Sequence, residues 1–145
     1  MFNVYVEEII EKDISAVFDL LADHAGYTRF RGVKAAELLE TGKNEKNGLG
    51  ALRHIDLGAV NFDERIIRFE RPNRLDYKIE RSSPLPSRHE LGSISLEPVA
   101  GGTKVVWVSK GTIAIPLLGK LSLDKKFERQ GNLGFGSVLK QISQL

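Results

Sequence analysis

Five side chains of this 145-residue sequence could hold a ligand or move a proton from one shared face: Arg53, Glu64, Tyr77, Glu90 and Ser109. A guanidinium beside a carboxylate can anchor a carboxylate, hydroxyl or carbonyl. It can equally be a structural pair near a solvated sheet end, since an ion pair drawn into a pocket loses hydration. Glu90 is a general base if its surroundings are dry, and a solvated strand-end carboxylate if they are not. His24 ends a helix, His54 should point outward and His89 opens a strand. No His-x-His or His-Glu-x-x-His spacing links them and cysteine is absent, so neither a metal nor a cofactor is expected. The serines form no nucleophile-elbow pattern, and Gly131-x-x-Gly-x-Gly136 lacks the lysine of a phosphate loop.

Strand pairing is what brings the five together. From Gly50 to Ile115 the chain reads as successive antiparallel strands: 51–57, 61–70, 75–81, 88–97 and 103–113. A two-residue turn at Gly58-Ala59 sets Arg53 opposite Glu64 and Ile55 opposite Phe62. A turn over Val99–Gly102 sets Leu96 opposite Val105, Ile94 opposite Trp107, Gly92 opposite Ser109 and Glu90 opposite Gly111. Those apolar pairs mark the buried face, and period two adds Ile66, Leu75, Tyr77 and Ile79 to it. Ile67 and Phe69 have the opposite parity, which predicts a bulge or a strong twist late in the 61–70 strand. Tyr77 and Trp107 read first as core packing, since aromatics usually bury for area alone, and second as a ligand wall.

Before these strands, Phe2, Val4 and Val6 alternate with polar residues, giving a strand over 2–11. Asp13 is placed to cap a helix carrying Ile14, Val17, Phe18 and Leu21, and Tyr27–Phe30 reads as a second short helix or turn. Residues 33–41 form another strand, and Gly42–Gly48 a polar turn with no packing role. After Pro116, residues 117–145 repeat apolar positions at Phe127, Phe135, Val138 and Ile142, widened by Leu121 and Leu139, as on one face of a long helix. Gly131, Gly134 and Gly136 interrupt it, each at a cost of about 1 kcal/mol relative to alanine. Gly131 and Gly134 fall on the apolar side and are read as leaving volume; Gly136 falls opposite. The order predicts an α+β fold, one domain over 1–145, in which a seven-stranded antiparallel sheet has a single face to bury and the last helix covers it.

Composition excludes several classes. Twenty-one basic and 19 acidic residues interleave to a net charge of +2, which argues against a nucleic-acid partner. The arginine cluster Arg65, Arg68, Arg71, Arg74, Arg81 and Arg88 is threaded with Glu64, Glu70, Asp76 and Glu80, as on a solvated sheet surface. The most apolar run, 112–118, falls short of the ~20 residues of a membrane helix. A cytoplasmic protein is expected, with its oligomeric state, a homodimer included, left open.

The stretches Asp13–Asp23, Gly48–Arg53, Asp63–Ile67, Pro72–Tyr77 and Gly102–Trp107 resemble, in their order along nearly the whole chain, the START-like (SRPBCC) superfamily and its polyketide cyclase/dehydrase-like branch. Tyr27-Thr-Arg-Phe30 departs from the Tyr-Pro-x-Trp-like stretch common there. The resemblance implies a helix-grip fold: a curved sheet, two short helices after the first strand, and a long C-terminal helix over an apolar cavity. It also implies a small hydrophobic or amphipathic ligand, such as a lipid, isoprenoid or polyketide. Arg53, Ile55, Phe62, Glu64, Ile66, Tyr77, Ile79, Ile94, Trp107, Ser109, Phe127, Gly131, Gly134 and Phe135 would face it. An enzyme of the cyclase/dehydrase type would use Arg53 to stabilise an enolate and Glu64, Tyr77 or Glu90 to move the proton. A third reading is an interaction module that uses the arginine-rich outer face.

Overall fold

The computed structural model of the chain describes residues 1–114 and 120–145, with the side chains of residues 120–122 outside that description. The expected helix start at Leu117 and the place of Leu121 on its apolar face lie outside the described residues. Strand β1 (Phe2–Ile10) leads to α1 (Ile14–Ala22) and a 3-10 helix (His24–Arg29). Strands β2 (Ala35–Glu40), β3 (Leu52–Asp56), β4 (Asn61–Glu70), β5 (Arg74–Ser83), β6 (Ser87–Val99) and β7 (Gly102–Ile113) follow, then α2 (Lys120–Ser143). Among the described residues the seven strands form one antiparallel sheet in the order β1-β7-β6-β5-β4-β3-β2.

Local chemistry sets the boundaries. The Asp13 carboxylate accepts the Ser15 N–H at 3.0 Å and caps α1, satisfying one of the helix's orphan donors. Gly58, at φ +89°, supplies the left-handed turn between β3 and β4, closed by Leu57 N–H to Val60 C=O at 2.9 Å. Each break in the ladder carries one extra residue on one strand: Leu39, Ile67, Glu80 and Glu90. All four are exposed, so each bulge ejects its odd residue to the solvent face and keeps the inward set in phase. The bulge at Ile67 returns Phe69 to the core side, where its ring meets Phe18 at 5.3 Å.

The sheet curls around α2. Phe127 of α2 touches Phe2 on β1 at 4.7 Å and Phe62 on β4 at 6.1 Å, although three strands separate β1 from β4. Phe135 lies flat on Trp107 at 4.2 Å, and Val138, Leu139 and Ile142 seal the core formed with α1 and the 3-10 helix. Along the open edge of β1, Glu128 Oε2 accepts the Asn3 N–H and Asn132 Oδ1 accepts the Tyr5 N–H, each at 3.0 Å. One turn earlier, Asp124 Oδ1 accepts the Ile113 N–H at 3.0 Å. Three side chains at four-residue spacing share one helix face and fix where α2 lies on the sheet.

Candidate functional site in the cavity under the long helix

Between the concave face and α2 lies a cavity of about 770 Å³. Of the inward residues expected from the strand pattern, Arg53, Ile55, Phe62, Glu64, Tyr77, Ile79, Trp107 and Ser109 line it, with Phe127, Gly131, Gly134 and Phe135 from α2. The exposed leucines Leu57, Leu85 and Leu133 frame its mouth from the β3–β4 turn, the β5–β6 loop and α2.

Three expected lining residues stand elsewhere. Ile66 and Ile94 are fully buried in the core, where side chains from α1 and α2 fill the space beneath the sheet. Glu90 is exposed, because the β6 bulge pairs His89 with Gly111 and turns Glu90 outward. His89 takes its place inside.

At the cavity's β3–β4 side, Arg53 Nε donates to Glu64 Oε1 at 2.8 Å. Arg53 Nη1 approaches His24 Nδ1 at 3.2 Å, and the guanidinium lies 5.0 Å from the ring centroids of both Tyr27 and Tyr77. Arginine has only donors, so His24 Nδ1 must accept, and Nε2–H donates to the Asn47 carbonyl at 2.8 Å. The Gly42–Gly48 turn, expected to carry no packing, thus supplies the acceptor that fixes the His24 ring. Burial, then Arg53, pushes the His24 imidazole down to about 3. Burial works against the Arg53 charge, but Glu64 and the two tyrosines outweigh it and hold its pKa above the usual value. Arg53 is 1% exposed and Glu64 7%, so of the two Glu64 offers the larger polar surface to the cavity. Among the described residues its Oε2 accepts no hydrogen bond, while no fully buried side-chain polar atom lacks a partner. Glu64 Oε2 therefore opens to the cavity.

A second network crosses β5, β6 and β7. The Ile79 N–H donates to His89 Nδ1 at 2.9 Å, which puts the imidazole proton on Nε2 and directs it to Ser109 Oγ at 2.8 Å. Burial, then Lys78, pushes His89 down to about 4, so the ring stays neutral. With its proton on Nε2 the imidazole presents no lone pair to Ser109, so in this arrangement it cannot take the seryl proton and the pair is no nucleophilic dyad. Trp107 Nε1–H donates to Tyr77 Oη at 2.9 Å, and the Tyr77 ring stacks on His89 at 5.7 Å. Burial, then the nearby Glu64 carboxylate, raises the Tyr77 phenol and keeps it protonated.

Sequence reasoning missed His24, Tyr27 and His89. A buried neutral histidine has no spacing signature, and its partners lie far off in sequence. Outside, His54 points away from the cavity onto Asp63 at 2.6 Å, as its parity requires. Arg65, Arg68, Arg71, Arg74 and Arg81 each pair with a carboxylate, as expected of a solvated sheet surface. Among the described residues no helix is long and apolar enough to cross a membrane.

The same architecture recurs in solved structures. The protein TTHA0849 of Thermus thermophilus aligns at TM-score 0.74 and 19% identity, over 98% of this chain and 94% of that one. A START superfamily protein of Mycobacterium smegmatis aligns at TM-score 0.66 and 10% identity, over 98% and 99%. The XoxI protein of Bacillus cereus aligns at TM-score 0.73 and 17% identity, over 99% and 94%. At such identities the likeness speaks for fold alone. No curated protein matches the sequence. The family model for "Polyketide cyclase / dehydrase and lipid transport" matches residues 1–130, every strand and the start of α2 included. Sheet, grip and family pattern agree: the chain belongs to the polyketide cyclase/dehydrase and lipid transport family and has the helix-grip fold of the START-like (SRPBCC) superfamily.

Proposed function

We propose that this protein binds one small, largely apolar molecule between the sheet and α2, in the class of a lipid, an isoprenoid or a polyketide-like compound. The cavity carries the reading. Its volume of about 770 Å³ lies within the 300–1,000 Å³ typical of ligand pockets. Its walls are mostly aliphatic and aromatic; Arg53, Glu64, Tyr77 and Ser109 are its buried polar points, and Arg31, Lys126 and Gln130 add exposed ones. The family's lipid-transport description supports the same class. Native mass spectrometry and thermal shift against a fatty acid, an isoprenoid alcohol and an aromatic polyketide test it. A one-to-one complex is expected, with stabilisation of about 2.7 kcal/mol at a hundredfold excess over Kd. Failure of every panel member in both measurements would remove the reading.

A cyclase/dehydrase reading is favoured by one observation, the open Oε2 of Glu64 in an apolar cavity. Glu64 would take the proton and Tyr77 would supply one, while Arg53 would hold Glu64 in place. Glu64→Gln would then abolish turnover of a poly-β-keto thioester and leave its binding intact. Unchanged turnover would remove the role.

A further inference from the structure

The hydrogen-bond wiring of β7 carries a consequence for what the ligand must be. Trp107 and Ser109 are successive inward positions on this strand; Ser109 is tied to His89 on the adjacent β6, and Trp107 reaches across β6 to Tyr77 on β5. The indole N–H can only donate, so Tyr77 Oη receives it and the phenolic hydrogen is left over. Likewise the Ile79 N–H forces His89 to donate to Ser109 Oγ, leaving the seryl hydrogen over. Among the described residues neither hydroxyl hydrogen has a protein acceptor, and both residues line the cavity.

The backbone brings the two together. Tyr77, Gly92 and Ser109 pair in one row across β5, β6 and β7. A Cβ on Gly92 would lie 2.3 Å from the Tyr77 ring, so the missing side chain is what lets that ring lie over β6 toward β7. Resting on the reading of the cavity as a ligand site, we propose that Tyr77 and Ser109 form a two-donor subsite for an acceptor oxygen of the bound molecule, a ketone, ester or lactone carbonyl. At this subsite a neutral acceptor fits better than a free carboxylate, whose charge would lie near the Glu64 carboxylate; Arg53 is held by Glu64 and His24, and the other cations of the lining, Arg31 and Lys126, belong to exposed residues.

Two probes of nearly the same shape, 9-fluorenone and fluorene, differ by one carbonyl and test the subsite. Calorimetric titration of the wild type should give tighter binding of fluorenone by about three- to tenfold, the worth of one or two neutral hydrogen bonds. Tyr77→Phe and Ser109→Ala should each reduce that preference, read as the ratio of fluorenone to fluorene affinity within each variant. The infrared carbonyl stretch of bound fluorenone, lowered by the donors, should move back up in both variants. If fluorene binds and fluorenone binds no better, the subsite is overturned and the cavity reading stands. A preference that survives in both variants also overturns it. If neither probe binds while a member of the lipid, isoprenoid and polyketide panel does, the subsite is overturned and the cavity reading stands; if nothing binds, both fall.

Discussion

Arg53 and Glu64 meet through one hydrogen bond, Nε to Oε1 at 2.8 Å, across the β3–β4 pair, and the second carboxylate oxygen faces the cavity. The guanidinium is almost wholly enclosed, at 1% exposure of its side chain against 9% for Glu64. Breaking such a pair from one side leaves an uncompensated charge in a poor solvent. Arg53→Met should therefore cost about 3–5 kcal/mol in urea unfolding. Joined to Glu64→Leu it should recover most of that loss, since two apolar side chains replace the pair. A double variant as unstable as the sum of the single ones would contradict the pairing as described.

His24 and His89 predict an acid limb. Both are held neutral, with folded pKa values of about 3 and about 4 against 6.5 unfolded. Between those limits the unfolded chain binds the extra protons. Their contribution to stability is therefore fully present above pH 6.5 and is lost as pH falls toward the folded values. Each should add a slope of about 1.4 kcal/mol per pH unit near pH 5. Urea unfolding at pH 5.0, 5.5 and 7.5 checks this. His24→Gln should remove about one proton's worth of slope, and an unchanged slope would show that His24 is not held neutral.

The glycines of α2 separate into different roles. A Cβ at Gly131 would lie 2.6 Å from Val4 Cγ2, on a stiff, buried side chain of β1. At Gly134 nothing lies within 4 Å. Gly134→Ala should thus gain about 0.5–1 kcal/mol from helix propensity alone. Gly131→Ala should lose stability, because α2 must move off β1. Equal gains in the two variants would show that Gly131 marks no close approach. At Gly131 the expected open volume gives way to close approach of α2 to Val4, while Gly134 has open space beside it; a Cβ at Gly136 would lie 3.9 Å from Val6 Cγ1, so Gly136 faces β1 and not the opposite side that its helical position predicted.

Much of the site could be read from strand parity. Two tight turns were enough to put Arg53 opposite Glu64 and Gly92 opposite Ser109, as the ladders have them. The same counting failed at Glu90, because pairing by turn assumes an unbroken ladder and one inserted residue reverses everything beyond it. The warning was an unpartnered carboxylate on an apolar face beside a histidine, which buries more readily. His24 escaped for a different reason. It reaches Arg53 and the Asn47 carbonyl only once α1, the Gly42–Gly48 turn and β3 have assembled, and no local pattern records that meeting.

Titration with the neutral fluorescent probe N-phenyl-1-naphthylamine decides whether the cavity takes a ligand, in the wild type and in Gly134→Trp, whose indole would enter the open space beside α2. One bound probe per wild-type chain is expected, with enhanced probe emission, and loss of that binding in the variant with the circular dichroism of the fold unchanged. Equal binding in both proteins, or none in the wild type, would contradict a ligand site between the sheet and α2.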